Sequence, residues 1–207
     1  MSGTVIVDYE MGNLGSIKNM LKAIGHGSTI SARPEEIVAA ERLILAGVGA
    51  FDAGMSNLER LGLIDVLREA VVERGAPVLG ICLGMQLLSR SSQEGELAGL
   101  GWIDARTMRF APPTRESGLK IPHMGWNQVT AQRGCALWGL PQEEMRFYFV
   151  HSYHVVCEDP GDVLGTTHHG HDFVSVVGRD NILGVQFHPE KSHKFGKMLL
   201  QNFVERA

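Results

Sequence analysis

Over the first ninety positions, hydrophobic residues come in short unbroken runs separated by amphipathic stretches. Thr4–Asp8 (TVIVD) is a β-branched run that ends in the turn residues YEMGN and predicts a strand. Leu14, Ile17, Leu21 and Ile24 then recur at helical spacing, and Gly25 supplies the stop. Ser28–Ser31 (STIS) is a weak second strand, and Arg42–Gly47 (RLILAG) is a third that runs into the glycine loop GVGAF. From Met55 to Arg74 the pattern is helical, interrupted at Gly62 and closed by Gly75 and Pro77. PVLGI is continuously apolar, which predicts a strand buried on both faces, and a helix follows Cys82. Strands alternating with helices imply an α/β fold with parallel strands and right-handed crossovers.

The second half reads differently. MRFYFVHSYHVV alternates around Phe147, Phe149, His151, Tyr153 and Val155, the signature of one strand. FVSVV and NILGVQF flank a polar turn and predict an antiparallel pair. Near the C-terminus, Phe195, Met198, Leu199 and Phe203 share a helix face, with Ser192 as its expected cap. No repeat, linker or low-complexity stretch divides the 207 residues, so a single domain over 1–207 is expected.

Composition narrows the classes of function. The chain is 44% hydrophobic and 20% charged, with a net charge of -4. That balance offers no electrostatic case for nucleic acid or an anionic membrane. No apolar stretch is long enough to span a bilayer, and MSGTVIVDYE has no export-signal pattern. Cys82, Cys135 and Cys157 are too few and too scattered for a disulfide framework or a zinc knuckle, which favours a reducing, cytoplasmic setting.

Candidate chemistry begins at Gly80-Ile81-Cys82-Leu83-Gly84. This is the G-x-S-x-G nucleophile-elbow pattern with cysteine in place of serine. A sharp strand-to-helix turn leaves no room for side chains two residues either side of the nucleophile. It also points the thiol at the first N–H groups of the helix, which favour thiolate, and the Leu83 N–H is placed as an oxyanion donor. On these five residues alone, an inert core cysteine is an equal reading. A thiolate needs a base, and the base an orienter. GVQFHPEKS offers both: Pro189 keeps His188 extended, which puts His188 and Glu190 on one side of the chain. Cysteine, histidine and carboxylate in that order after an elbow favour a triad over a solvated loop histidine.

Gly80–Gln86 (GICLGMQ) with Gly184–Glu190 (GVQFHPE) resembles the triad-type, class I glutamine amidotransferases. IPHMGWNQV (121–129), YFVHSY (148–153), DYEMGNLGS, AGVGAF and HPEKS narrow the resemblance to the glutaminase subunit of imidazole glycerol phosphate synthase, from Val7 to Phe203. That resemblance implies a flavodoxin-like three-layer sandwich, with a mainly parallel central sheet and an added antiparallel portion in the C-terminal half. It implies that Cys82 attacks the side-chain amide of L-glutamine, that His188 protonates the departing ammonia and then activates water, and that Glu190 holds the imidazole. Leu83 N–H and the Gly47-Val48-Gly49 backbone would form the oxyanion hole. Gly49, Gln86, Ser152 and Tyr153 would hold the substrate. It implies a separate (β/α)₈-barrel cyclase subunit that receives the ammonia, with Asn13, Trp126, Tyr148 and Lys191 at the interface, and no cofactor.

Bland readings stand beside these. Gly47 and Gly49 lack the context of a dinucleotide site, and no phosphate loop is present, so they could serve only a tight turn. His151 falls on the opposite strand face from Ser152, which makes it structural. Trp126 and Met124 are either core or partner-facing. Three positions depart from the family pattern: Ala46 replaces the usual proline, Glu10 fills a turn position more often small, and HHGHDF (168–173) replaces a tyrosine-glycine segment. His168, His169 and His171 raise the question of a metal, but nothing supplies a fourth ligand, so a solvated hairpin tip and no metal are expected. A related amidotransferase for surface-polysaccharide sugars, or a non-enzymatic module on the same fold, are the alternatives.

Overall fold

A computed structural model describes residues 3–111, 120–131, 137–138 and 144–206. Cys135 lies outside the described residues. The first half builds β1 (Thr4–Val7), α1 (Leu14–Ala23), β2 (Ser28–Ser31), α2 (Pro34–Val38), β3 (Arg42–Gly47), α3 (Phe51–Arg60), α4 (Leu63–Arg68), β4 (Val78–Cys82) and α5 (Leu83–Leu87). The second half adds β5 (Ser91–Ser92), β6 (Ala105–Arg109), β7 (His123–Gln128), β8 (Thr130–Ala131), β9 (Arg146–His151), β10 (Tyr153–Cys157), β11 (Val163–His169), β12 (His171–Arg179), β13 (Ile182–Val185) and α6 (His193–Arg206).

The central sheet runs in the order β2-β1-β3-β4-β13-β12-β10-β6-β5, with β11 on β12 and β8 on β11. From β2 to β13 the pairs are parallel. From β13 through β12 and β10 to β6 they are antiparallel. This is the expected mixed α/β sheet, and its three layers follow from the alternation of apolar residues. Ile6, Ile44, Leu79 and Ile81 face one core with Leu14, Ile17, Leu21, Leu199 and Phe203 of α1 and α6. Val5, Val7, Leu43, Leu45 and Val78 face the other with Leu58, Leu63 and Leu67 of α3 and α4. Both faces of the parallel strands are therefore covered, as their unbroken apolar runs require. Among the described residues no helix is long and apolar enough to cross a membrane.

Three expectations need correction, and one element was missed. The alternating run from Arg146 is two strands, not one. β9 pairs with β7 in a separate two-stranded sheet, and β10 joins the main sheet after a break at Ser152. The helix after the glycine loop starts at Phe51 rather than Met55, because the Glu94 carboxylate accepts the Phe51 N–H at 2.8 Å. The short helix α2 was not expected; Pro34 at its first turn followed by Glu35 and Glu36 is its sequence signal. Ser192 does not cap α6 with its hydroxyl, which accepts from the Tyr148 N–H at 3.0 Å and donates to the His188 carbonyl at 2.6 Å.

Candidate active site

Cys82 ends β4 and precedes α5 with φ 54° and ψ -107°, a backbone conformation costly for any residue with a side chain. The flanking glycines are a packing requirement. A Cβ on Gly84 would stand 1.7 Å from the Leu45 carbonyl oxygen of β3, and one on Gly80 would stand 2.8 Å from the Gly84 backbone. The first turn of α5 thus lies directly on the sheet, and the strained cysteine is held between the two. Cys157, the other described cysteine, is a contrasting case. Burial first, and Asp162 next, push its thiol up to about 12, which leaves it inert.

β13 runs parallel to β4, with Val185 opposite Ile81, so the segment after Val185 emerges beside the elbow. His188 is extended at φ -102°, and its N–H donates to the Tyr148 carbonyl at 2.9 Å. Its ring is 2% exposed, and Nδ1–H donates to Glu190 Oε1 at 2.7 Å. Burial works against a charge on this ring. The Cys82 sulfur, and then the Glu190 carboxylate, outweigh it and raise the imidazole to about 9. Nε2 and Glu190 Oε2 are buried and have no hydrogen-bond partner.

Cys82 opens into a cavity of about 300 Å³ lined by Val48, Gly49, Leu83, Gln86, Glu94, Pro122, Val150, His151, Ser152 and Tyr153. That volume is at the small end for small-molecule sites. Six of the residues expected around the nucleophile, Val48, Gly49, Leu83, Gln86, Ser152 and Tyr153, meet here. Gly47 does not line this cavity. It borders a second, much smaller one of about 20 Å³, together with Asn13, Ala46, His188 and Glu190. The Gln86 amide is already engaged, donating to the Tyr153 carbonyl at 3.2 Å and to Gln186 Oε1 at 3.1 Å.

His151 departs from its expected separation from Ser152. The break between β9 and β10 brings both residues onto one cavity wall. Its ring faces His123 Nδ1 at 2.9 Å and the Tyr153 carbonyl at 2.7 Å. Burial is the main cause that drives it down to about 3, so it stays neutral. The residues 168–171 form a hairpin tip, yet His169 stacks on His123 at 4.2 Å and its Nε2–H donates to the Lys120 carbonyl at 3.0 Å rather than standing in solvent. Among the described residues no three His, Cys, Asp or Glu side chains gather to hold a metal ion.

Two residues of the site were missed. Gln186 is fully buried, and its amide nitrogen lies 3.9 Å from Cys82 Sγ. An amide inside the apolar run GVQF was its available signal, since a buried amide must find partners. Glu94 is the carboxylate on the cavity wall beside Cys82, and its polar loop carried no signal. Of the expected interface residues, Trp126 and Tyr148 meet ring to ring at 6.2 Å, and Lys191 Nζ lies over the Tyr148 ring at 5.6 Å. Trp126 also stacks on His193. Asn13 lies apart from that cluster, on the wall of the small cavity beside Glu190.

The chain matches the family model for glutamine amidotransferase class-I over residues 5–207. It is 54% identical to imidazole glycerol phosphate synthase subunit HisH 2 of Methanococcus maripaludis, covering 98% of each chain. It is 51% identical to the subunit of the same name from Pseudomonas aeruginosa, over 97% of this chain and 98% of that one. The structure of PurLQS from Thermotoga maritima shares the fold, with a TM-score of 0.74 over 98% of this chain and 97% of that one at 19% identity. Elbow, cavity and sequence kinship agree: the chain belongs to the class-I glutamine amidotransferases, among the HisH subunits of imidazole glycerol phosphate synthase.

Proposed function

We propose that this chain works as one domain, the glutaminase subunit of an imidazole glycerol phosphate synthase, in cytoplasmic histidine biosynthesis. The observation that carries the reading is Cys82, strained at the elbow on a cavity wall, with the His188–Glu190 pair beside it. The Cys82 thiolate attacks the side-chain amide carbon of L-glutamine, and charge collects on the amide oxygen. The Leu83 N–H and the Gly47–Gly49 backbone are the donors for that oxyanion. Protonated His188 gives its proton to the nitrogen as the C–N bond breaks, leaving a thioester and ammonia. The now neutral ring takes a proton from water, whose oxygen attacks the thioester and releases glutamate. Glu190 holds the ring in the required tautomer throughout.

A zwitterionic substrate needs a few fixed polar groups. Glu94 faces its ammonium, while Gly49, Gln86, Ser152 and Tyr153 hold the rest of the molecule. Ammonia in water is mostly ammonium and no nucleophile, so it passes directly to a (β/α)₈-barrel cyclase docked over Trp126, Tyr148, Lys191 and Asn13. The test is glutamate release by the wild type and Cys82→Ala, each with and without the cyclase and its nucleotide ligand, together with rescue of a histidine auxotroph. The reading expects release that depends on Cys82, rises with the liganded cyclase, and supports growth without histidine. Undiminished release by Cys82→Ala overturns the mechanism, and failure to support growth overturns the pathway.

A further inference from the structure

Gln186 touches the nucleophile, yet the chemistry above leaves its amide unused. It stands two residues before His188 and is fully buried. Its backbone N–H donates to the Ser175 carbonyl of β12 at 2.9 Å, which ties it to the central sheet. A glutamine side chain carries an acceptor oxygen and a donor nitrogen, and its neighbours decide which end faces where.

Those neighbours allow one arrangement. The Tyr153 carbonyl can only accept, and it takes Gln86 Nε2–H at 3.2 Å and His151 Nδ1–H at 2.7 Å. With its nitrogen fixed there, Gln86 gives its second N–H to Gln186 Oε1 at 3.1 Å. Gln186 Nε2 is thereby turned to Cys82 Sγ, 3.9 Å away. The opposite orientation would set two N–H groups against each other at Gln86 and withdraw the donor from the sulfur. A backbone carbonyl thus dictates, through two buried amides, the polarity that the nucleophile meets. A thiol is a weak acceptor, so a long contact is its ordinary form; a sulfur anion draws the N–H in and binds it more strongly. The donor is also neutral and permanent. His188 gives its proton away during the cycle, whereas an amide keeps its own. The other titratable groups around the sulfur are His188 and Glu190 after β13, Tyr9 after β1, and Glu94, His151 and Tyr153 on the cavity wall.

We propose that Gln186 is a further catalytic residue, its amide N–H, held in one orientation by Gln86 and the Tyr153 carbonyl, stabilising the Cys82 thiolate as attacking and as leaving group. The inference rests on the proposed role of Cys82. The experiment compares wild type, Gln186→Met and Cys82→Ala in complex with the cyclase; methionine keeps the length of the side chain and lacks the N–H. It follows Cys82 alkylation by iodoacetamide against pH, and kcat and KM for glutamine. Gln186→Met should move the alkylation profile to higher pH by about 0.5 to 1 unit and lower kcat about 5- to 50-fold, with a smaller effect on KM. An unmoved alkylation profile overturns the proposal. So does a rise in KM at unchanged kcat, which would reduce Gln186 to a prop for Gln86. Should the methionine variant not fold, the wild type decides by NMR. The Gln186 side-chain amide proton should shift downfield over the pH range in which alkylation turns on, and further than that of Gln86; a resonance indifferent over that range overturns the proposal. Glutamate release that survives in Cys82→Ala sinks the underlying reading instead, a distinct result.

Discussion

At the scale of single residues, one imidazole governs the pH behaviour. His188 binds its proton more tightly folded, at about 9, than its ordinary value of 6.5. Protonation therefore stabilises the fold. The contribution is fully present below about pH 6.5 and is lost as pH rises through about 9. Burial alone would push the other way, as it does at His151, so the raised value depends on the partners. The Cys82 sulfur is the larger of the two raising influences. Cys82→Ala should therefore lower the His188 value well below 9, followed by NMR titration of the ring; a value that stays near 9 would show that the sulfur is not its partner. Glu190→Gln should also lower it, and by analogy with other triads should cut kcat on the order of 10²- to 10⁴-fold in a glutaminase assay. His151, neutral down to about 3, cannot replace His188 as the acid.

Elements fix where these residues can stand. The elbow works because the first turn of α5 rests on β3 and β4 with no side chain between. A methyl at Gly84 would meet the Leu45 backbone oxygen at 1.7 Å, so relief requires α5 to lift from the sheet. Gly84→Ala should cost about 3 kcal/mol or more in chemical denaturation. Gly54→Ala is the matched control, since its methyl would meet only Leu83 and Leu87 side chains at 3.2–3.3 Å. It should cost under about 1 kcal/mol. The elbow was legible beforehand because its chemistry and sterics are local to five residues. The parallel strands were legible because burial on both faces writes a continuous apolar run. The break at Ser152 was not, because period-two alternation continues unchanged while the chain passes from one sheet to another. Nor was the start of α3, whose cap comes from Glu94, forty-three positions away. Gln186 and Glu94 reach the site only through pairings between distant segments, which periodicity cannot report.

At the scale of the whole molecule, the two cores use both faces of the parallel strands, and the surface left over is informative. Met124 and Trp126 are 62% and 48% exposed on β7, although the strand's other face buries His123. Large apolar side chains left together in solvent mark docking surfaces more often than chance decoration. This one is tied to the site by short steps. Trp126 stacks on His193 and touches Tyr148, whose carbonyl accepts the His188 N–H. A partner seated on Trp126 thus bears on the strand that holds the imidazole. An exposed tryptophan with a pre-stacked ring is the kind of anchor that dominates binding energy. Trp126→Ala should weaken association with the cyclase at least about tenfold in calorimetric titration. The alkylation of Cys82 in the isolated chain should be unchanged, because the indole does not line the cavity. If affinity is unaltered, the cyclase docks elsewhere. If affinity falls but cyclase-stimulated glutamate release at saturation does not, Trp126 anchors the partner without carrying its signal to His188.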